Sequence, residues 1–119
     1  MNAHQMVCHL RDSFQGVSGE RFISPKMNWF SRNVIKWVAL RTQMPWPKGI
    51  ATRPEVDQHQ LGTPPGHWGD DVAGLVARLG AFPGQLKFGS HPMFGPMELE
   101  EWRIWGWRHC DHHLRQFGV

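Results

Sequence analysis

Residues 98–118, ELEEWRIWGWRHCDHHLRQFG, are the stretch that decides the fold. The aromatic and histidine residues of this stretch recur at steps of three and four, which is the spacing of one face of an α-helix. They are Trp102, Trp105, His109 and His113. Three glutamates near the start of the stretch place negative charge where the dipole of a helix favours it. We therefore predict a helix from about Glu98 to Gln116 that points its aromatic and histidine face inward.

Three further segments have a helical period. They run from about Asn2 to Gln15, from about Met27 to Arg41 and from about Asp70 to Phe82. In the second of them, the pattern puts Phe30, Val34 and Trp37 together on one apolar face. No strand pattern is evident, so we predict an all-α chain built as a four-helix bundle.

A long connection, Thr42–Gly69, joins the second and third predicted helices and contains five prolines. Connections of this length are uncommon in compact domains, and they tend to be functional or mobile. We interpret this one as a crossover loop that wraps the bundle. The alternative is a lid over a functional site.

The composition predicts one globular domain over residues 1–119. The 13 basic and 10 acidic side chains are interspersed and no nucleic-acid-binding motif is present, so we expect no nucleic-acid partner. No apolar run approaches the ~20 residues that a membrane span needs, and the N-terminus lacks the features of a secretory signal. We therefore expect no membrane association and a cytoplasmic location, where Cys8 and Cys110 would be free, partly buried thiols.

A constellation of histidines points to metal binding. His109 and His113 are four residues apart on the predicted helix, so two ring nitrogens can reach one metal ion at about 2.1 Å. His9 lies at the edge of the core-facing stripe of the first helix, and a bundle can bring residues of facing helices to one point. Three imidazoles leave coordination positions open for water or substrate. The simpler alternative is a set of packed or exposed histidines without a metal.

Several neighbours of this constellation are candidates for lining the site or orienting its ligands. They are Ser13, His91, Trp102, Trp105 and His112. For His91, which precedes a proline in a rigid turn, a structural hydrogen bond is the first interpretation. We expect His4 to be exposed, and we expect Asp12 and Asp111 to form ion pairs at the surface. The alternative for all three is a role as an outer partner that orients a metal-binding imidazole.

Three segments carry a resemblance to a known family. They are His4–Leu10 (HQMVCHL), His91–Pro96 followed by Glu101 and Trp102, and His109–Val119. Together they resemble the DinB/YfiT-like superfamily, in an uncharacterised branch with a closing helix of HxxHHLRQFG type. The paired histidines followed by LRQFG are specific, because such a helix end is hard to match by chance. The resemblance covers both ends of the chain, and the middle only by its helical pattern.

In that superfamily, one histidine of an early helix and a His-x-x-x-His pair of the last helix bind a divalent ion, which matches His9, His109 and His113. The resemblance implies a metal-dependent transferase or hydrolase. In such an enzyme Zn²⁺, Ni²⁺ or Fe²⁺ would activate water or a low-molecular-weight thiol toward a small-molecule substrate. It also implies a homodimer. Imidazole ligands do not by themselves discriminate among these three ions. The alternatives are a non-catalytic metal- or ligand-binding bundle and a structural remnant whose histidines bind nothing.

One departure from the superfamily concerns the N-terminus. Relatives have an additional helix before the ligand helix, whereas here His9 follows Met1 almost at once. We expect either that Met1 is an internal methionine of a longer reading frame or that the chain is a natural truncation. Either case would leave an apolar face open and favour dimerisation or low stability.

Overall fold

The computed structural model describes residues 1–82, 84 and 89–119. These residues contain four α-helices, one π-helical turn, one 3₁₀ turn and a hairpin of two short strands. In chain order they are α1 (Ala3–Val17), the π-helical turn (Ser31–Ile35), α2 (Lys36–Arg41), the 3₁₀ turn (Pro54–Val56), α3 (Trp68–Ala81), β1 (Ser90–His91), β2 (Gly95–Pro96) and α4 (Leu99–Arg115). The prediction of a helical chain is confirmed, with the hairpin as the exception. No helix of the described residues is long and apolar enough to cross a membrane.

The chain groups into two compact units. Unit 1 consists of Met1–Ser24 and Thr52–Lys87, and unit 2 consists of Pro25–Ala51 and Phe88–Val119. In unit 1, α1 packs against α3 and against the 3₁₀ turn, and in unit 2, α2 packs against α4. The four predicted helices are confirmed within the described residues, and the single domain over residues 1–119 stays a prediction.

Both long terminal helices begin at residues whose side chains satisfy free backbone groups. The Asn2 side chain accepts a hydrogen bond from the Gln5 N–H at 2.9 Å, and the Gln5 side chain accepts one from the Asn2 N–H at 2.8 Å. At the start of α4, the Glu101 carboxylate accepts from the Glu98 N–H at 3.0 Å. Such reciprocal caps fix the first turn of a helix. They explain why α1 and α4 begin within two residues of the predicted positions.

The second predicted helix is present, but its predicted apolar face is wrong. Phe30 and Trp37 are 55% and 59% exposed, whereas Ser31 and Leu40 are buried. The physical reason is the π-helical turn, whose i→i+5 hydrogen bonds add a residue to one turn and rotate the side chains that follow. The Ser31 hydroxyl donates to the carbonyl oxygen of Met93 at 2.8 Å, which keeps this polar side inward.

Asp12 organises unit 1 from a fully buried position on α1. Its carboxylate accepts hydrogen bonds from the N–H and the hydroxyl of Thr63, at 2.7 and 2.8 Å, and from the Gln58 amide at 2.9 Å. The Arg21 guanidinium lies 3.2 Å away. The expectation of a surface ion pair is therefore wrong for Asp12, because donors from the long connection replace the water that a buried carboxylate loses.

His91 closes the hairpin of unit 2. Its Nδ1 accepts hydrogen bonds from the N–H groups of Met93 and Phe94, both at 3.1 Å, and its ring stacks on Phe94 with centroids 4.3 Å apart. Burial, with a smaller contribution from the charge of Lys36, lowers the pKa of His91 to about 3. The ring is thus neutral at neutral pH, and its acceptor nitrogen holds the turn.

We expect Asp12→Ala to lower the free energy of unfolding by about 3 kcal/mol, because it leaves buried donors and a guanidinium without their acceptor. The matched control is Asp111→Ala. Asp111 pairs with Arg115 at 2.8 Å on the exposed side of α4, and such a pair is worth only about 0.3–0.5 kcal/mol. Urea unfolding measures both values. Equal effects of the two substitutions would contradict the organising role of Asp12.

The low pKa of His91 predicts a pH dependence of stability. An unfolded histidine titrates near pH ~6.5, so below that pH the unfolded chain binds a proton that the folded chain does not. The stability of the wild-type protein should therefore fall as the pH drops from about 6.5 towards about 3. His91→Gln removes this titration, so the stability gap between the two proteins should narrow as the pH is lowered. A gap that stays constant in urea unfolding from pH ~7 to pH ~4 would contradict the assignment.

Candidate metal centre

His109 and His113 form the core of the candidate centre in unit 2. Both lie on α4, one turn apart, and their ring centroids are 4.9 Å apart. Each offers a ring nitrogen within 4.8 Å of a ring nitrogen of the other. His113 is buried and His109 is half-buried. The structure thus places the two histidines together, as their spacing predicts.

The proton of His113 is positioned by a neighbouring side chain. Its Nδ1 lies 3.0 Å from the Gln116 amide oxygen, and the amide nitrogen of Gln116 lies 3.2 Å from Nε2 of His112. An amide oxygen can only accept a hydrogen bond, so Nδ1 of His113 is the donor in this contact. A histidine that donates its other N–H to an oxygen is held in the tautomer and orientation that suit a metal ligand.

His9 has the same arrangement in unit 1. It lies buried on α1, and its Nδ1 is 2.8 Å from the carbonyl oxygen of Val56, the last residue of the 3₁₀ turn. A carbonyl oxygen can only accept a hydrogen bond, so Nδ1 of His9 is the donor in this contact. Ser13 follows one turn later on α1 and is also buried.

Aromatic rings surround the histidine pair of unit 2. The Trp105 ring lies 4.9 Å from His109, and Trp102 meets Trp105 edge to face at 5.5 Å. His91 contacts both tryptophans, each at 5.8 Å between centroids. His112 packs 5.0 Å from His113, and burial lowers its pKa. The predicted neighbours in unit 2 are therefore brought together around the pair.

Trp46 is a member of this wall that the sequence analysis missed. Its ring lies 6.0 Å from His109 and 6.0 Å from His112. The Trp46 N–H donates to the Ala39 carbonyl oxygen at 3.1 Å, and the Arg108 guanidinium lies over the ring at 5.7 Å. A lone tryptophan between two prolines of a long connection was the available signal, since such a residue often anchors a loop.

Of the predicted site residues, six lie in unit 2 and two lie in unit 1. The six are His91, Trp102, Trp105, His109, His112 and His113, and the two are His9 and Ser13. Each of the three predicted ligands offers a ring nitrogen to a divalent ion. That all three bind one ion stays a prediction.

Comparison with known proteins gives one finding. The chain matches the family described as "Protein of unknown function (DUF1569)" over residues 2–118. No curated protein and no solved structure matches it. Because the match extends over almost the entire sequence, the chain belongs to this family of proteins of unknown function, DUF1569.

Proposed function

We propose that this protein is a metal-dependent enzyme of the DinB-like superfamily. In this proposal His9, His109 and His113 bind one divalent ion through their Nε2 atoms. The ion is Zn²⁺, Ni²⁺ or Fe²⁺, and when bound it supplies the Lewis acidity that deprotonates a coordinated water or thiol. The reaction is transfer or hydrolysis on a small-molecule substrate, with a low-molecular-weight thiol as the candidate co-substrate. A cytoplasmic homodimer is part of the same proposal.

The single observation that carries the proposal is the pair of oxygen atoms behind His9 and His113. The Val56 carbonyl and the Gln116 amide oxygen each accept from an Nδ1–H, at 2.8 and 3.0 Å. Histidines that only fill a core need not have an oxygen acceptor at the same ring nitrogen. Metal-binding histidines, by contrast, almost always donate their other N–H to such an acceptor. Two residues from distant parts of the sequence thus each have an oxygen acceptor at Nδ1.

The surroundings of the pair fit this chemistry. The Trp46 and Trp105 rings flank His109 on α4, with centroids 6.0 and 4.9 Å from its ring. Neutral imidazole donors suit the borderline ions named above, and three of them leave positions for water and substrate. The apolar lining also predicts that a substrate would bind with an apolar or aromatic part against the tryptophans.

A non-catalytic metal- or ligand-binding bundle is the second candidate. It is favoured by the position of Asp111, the carboxylate on α4 between the two histidines. Asp111 pairs with Arg115 at 2.8 Å, so it is already engaged on another side of the helix. A metal site without a neighbouring general base is also compatible with storage or sensing.

We expect His9→Ala, His109→Ala and His113→Ala each to remove about one bound zinc ion per chain, because two imidazoles hold the ion much more weakly than three. His67→Ala is the matched control, since His67 is exposed and makes only a 3.5 Å contact to Asp70. Equilibrium dialysis followed by metal analysis gives the stoichiometry. Unchanged zinc in all three ligand variants, or equal loss in the control, would contradict the site.

Turnover separates the two candidates once the metal site is established. Thiol transfer and the hydrolysis of esters and amides are screened with and without a chelator. The enzyme proposal predicts turnover that the chelator abolishes and that His109→Ala also abolishes. Bound metal without chelator-sensitive turnover on any substrate class would favour the non-catalytic candidate.

A further inference from the structure

A second group of metal-ligand side chains lies within unit 1. His4 and Cys8 are four residues apart on α1, and Asp71 faces them from the first turns of α3. A ring nitrogen of His4, the sulfur of Cys8 and a carboxylate oxygen of Asp71 all lie within 4.8 Å of one another. Both helices belong to the same compact unit, in which α1 packs against α3.

We propose that His4, Cys8 and Asp71 form a zinc site that joins α1 to α3. The ion would take a ring nitrogen, a thiolate sulfur and a carboxylate oxygen from the protein and one water from solvent. This site is separate from the three-histidine site and does not depend on it.

The distances suit the ion. A tetrahedral zinc ion with usual bond lengths holds its ligand atoms roughly 3.3–3.7 Å apart. Nε2 of His4 lies 2.7 Å from Oδ2 of Asp71, and the three ligand atoms all lie within 4.8 Å of one another. Zinc binding would therefore require a side-chain movement that separates the His4 nitrogen from the Asp71 oxygen.

The carboxylate is already oriented for coordination. The Arg11 guanidinium donates to Oδ1 of Asp71 at 2.7 Å, and the Gly66 N–H donates to Oδ2 at 2.9 Å. The Gly66 hydrogen bond and the one from His4 hold the pKa of Asp71 well below its usual range. Asp71 is thus ionised, and Arg11 occupies the oxygen that the ion would leave, as outer partners of metal-binding carboxylates do.

The thiol of Cys8 is buried and protonated in the absence of a metal ion, so it does not have the environment of a nucleophile. Cys8 is fully buried, and burial together with the charge of Asp71 raises its pKa to about 11. Metal binding replaces the S–H bond by a sulfur–zinc bond, and the proton leaves to solvent. The His4 side chain is 24% exposed, which gives the ion and its water a route from solvent.

The expectation that His4 is exposed is corrected by the same contacts. The ring is half-buried, bonded to Asp71 and packed edge to face against Trp68 at 5.2 Å. A histidine that served only to form a hydrogen bond with Asp71 would not need the buried thiol of Cys8 beside it. The coincidence of nitrogen, sulfur and oxygen donors is what indicates a borderline ion such as zinc.

Cobalt(II) titration of the full chain tests the proposal, because cobalt replaces zinc and reports a thiolate ligand by a charge-transfer band in the near ultraviolet. A site made of histidines alone cannot produce this band. We expect the wild-type protein to show the band and Cys8→Ser to lose it while still binding cobalt elsewhere. Cys110→Ser, which removes the other thiol, is the matched control and should keep the band.

His4→Ala provides a second variant at a position whose side chain is 24% exposed. We expect it to need at least about tenfold more cobalt to reach half of the thiolate band. A wild-type protein without the band at saturating cobalt would overturn the proposal. A band that survives Cys8→Ser but disappears in Cys110→Ser would overturn it as well, because the thiolate would then belong to α4.

Discussion

The hydrogen bond between Nδ1 of a histidine and an oxygen acceptor is the interaction on which the functional account depends. The Val56 carbonyl imposes it on His9 and the Gln116 amide imposes it on His113. Each oxygen can only accept a hydrogen bond, so Nδ1 is the donor in both contacts and the orientation of each ring is fixed.

Two buried carboxylates hold the elements of unit 1 together by accepting several hydrogen bonds each. Asp12 gathers Thr63 and Gln58 from the long connection, and Asp71 gathers His4, Arg11 and a backbone N–H. Each carboxylate can stay ionised in a buried position because several hydrogen-bond donors surround it. Residues 52–69 of the connection therefore belong to unit 1, where the 3₁₀ turn supplies the carbonyl oxygen that accepts from His9. The hydrogen bond from His9 to the Val56 carbonyl oxygen therefore links the fold of the connection to the orientation of the His9 ring.

Much of the secondary structure was predictable, because apolar periodicity and end signals act locally. The bounds of α1 and α4 and the facing of His109 and His113 follow from residues within a few positions of one another. The side-chain partners of Asp12 were not predictable, since Thr63 lies 51 residues away and its role is decided by tertiary packing. The π-helical turn was not predicted either, because one added residue rotates every later side chain about the helix axis. The hairpin has strands of two residues, which are too short to produce an alternating pattern.

The candidate site, too, was predictable from the sequence only in part. Spacing along one helix predicted the histidine pair, and a stripe on another helix predicted His9. Trp46, by contrast, is placed beside His109 by its hydrogen bond to the Ala39 carbonyl oxygen and by Arg108, which donates to the carbonyl oxygens of Thr42 and Met44. A loop residue positioned by one distant arginine leaves no periodic signal in the sequence.

The most direct measurement is nitrogen NMR of histidine-labelled protein, carried out on the Cys8→Ser variant so that thiolate binding does not interfere. One equivalent of zinc should shift the Nε2 resonances of His9, His109 and His113 together, with Nδ1 of His9 and His113 remaining protonated. The other five histidines should be unaffected. Zinc that shifts only the α4 pair, or that binds through Nδ1 after breaking the contact to Val56, would contradict the account.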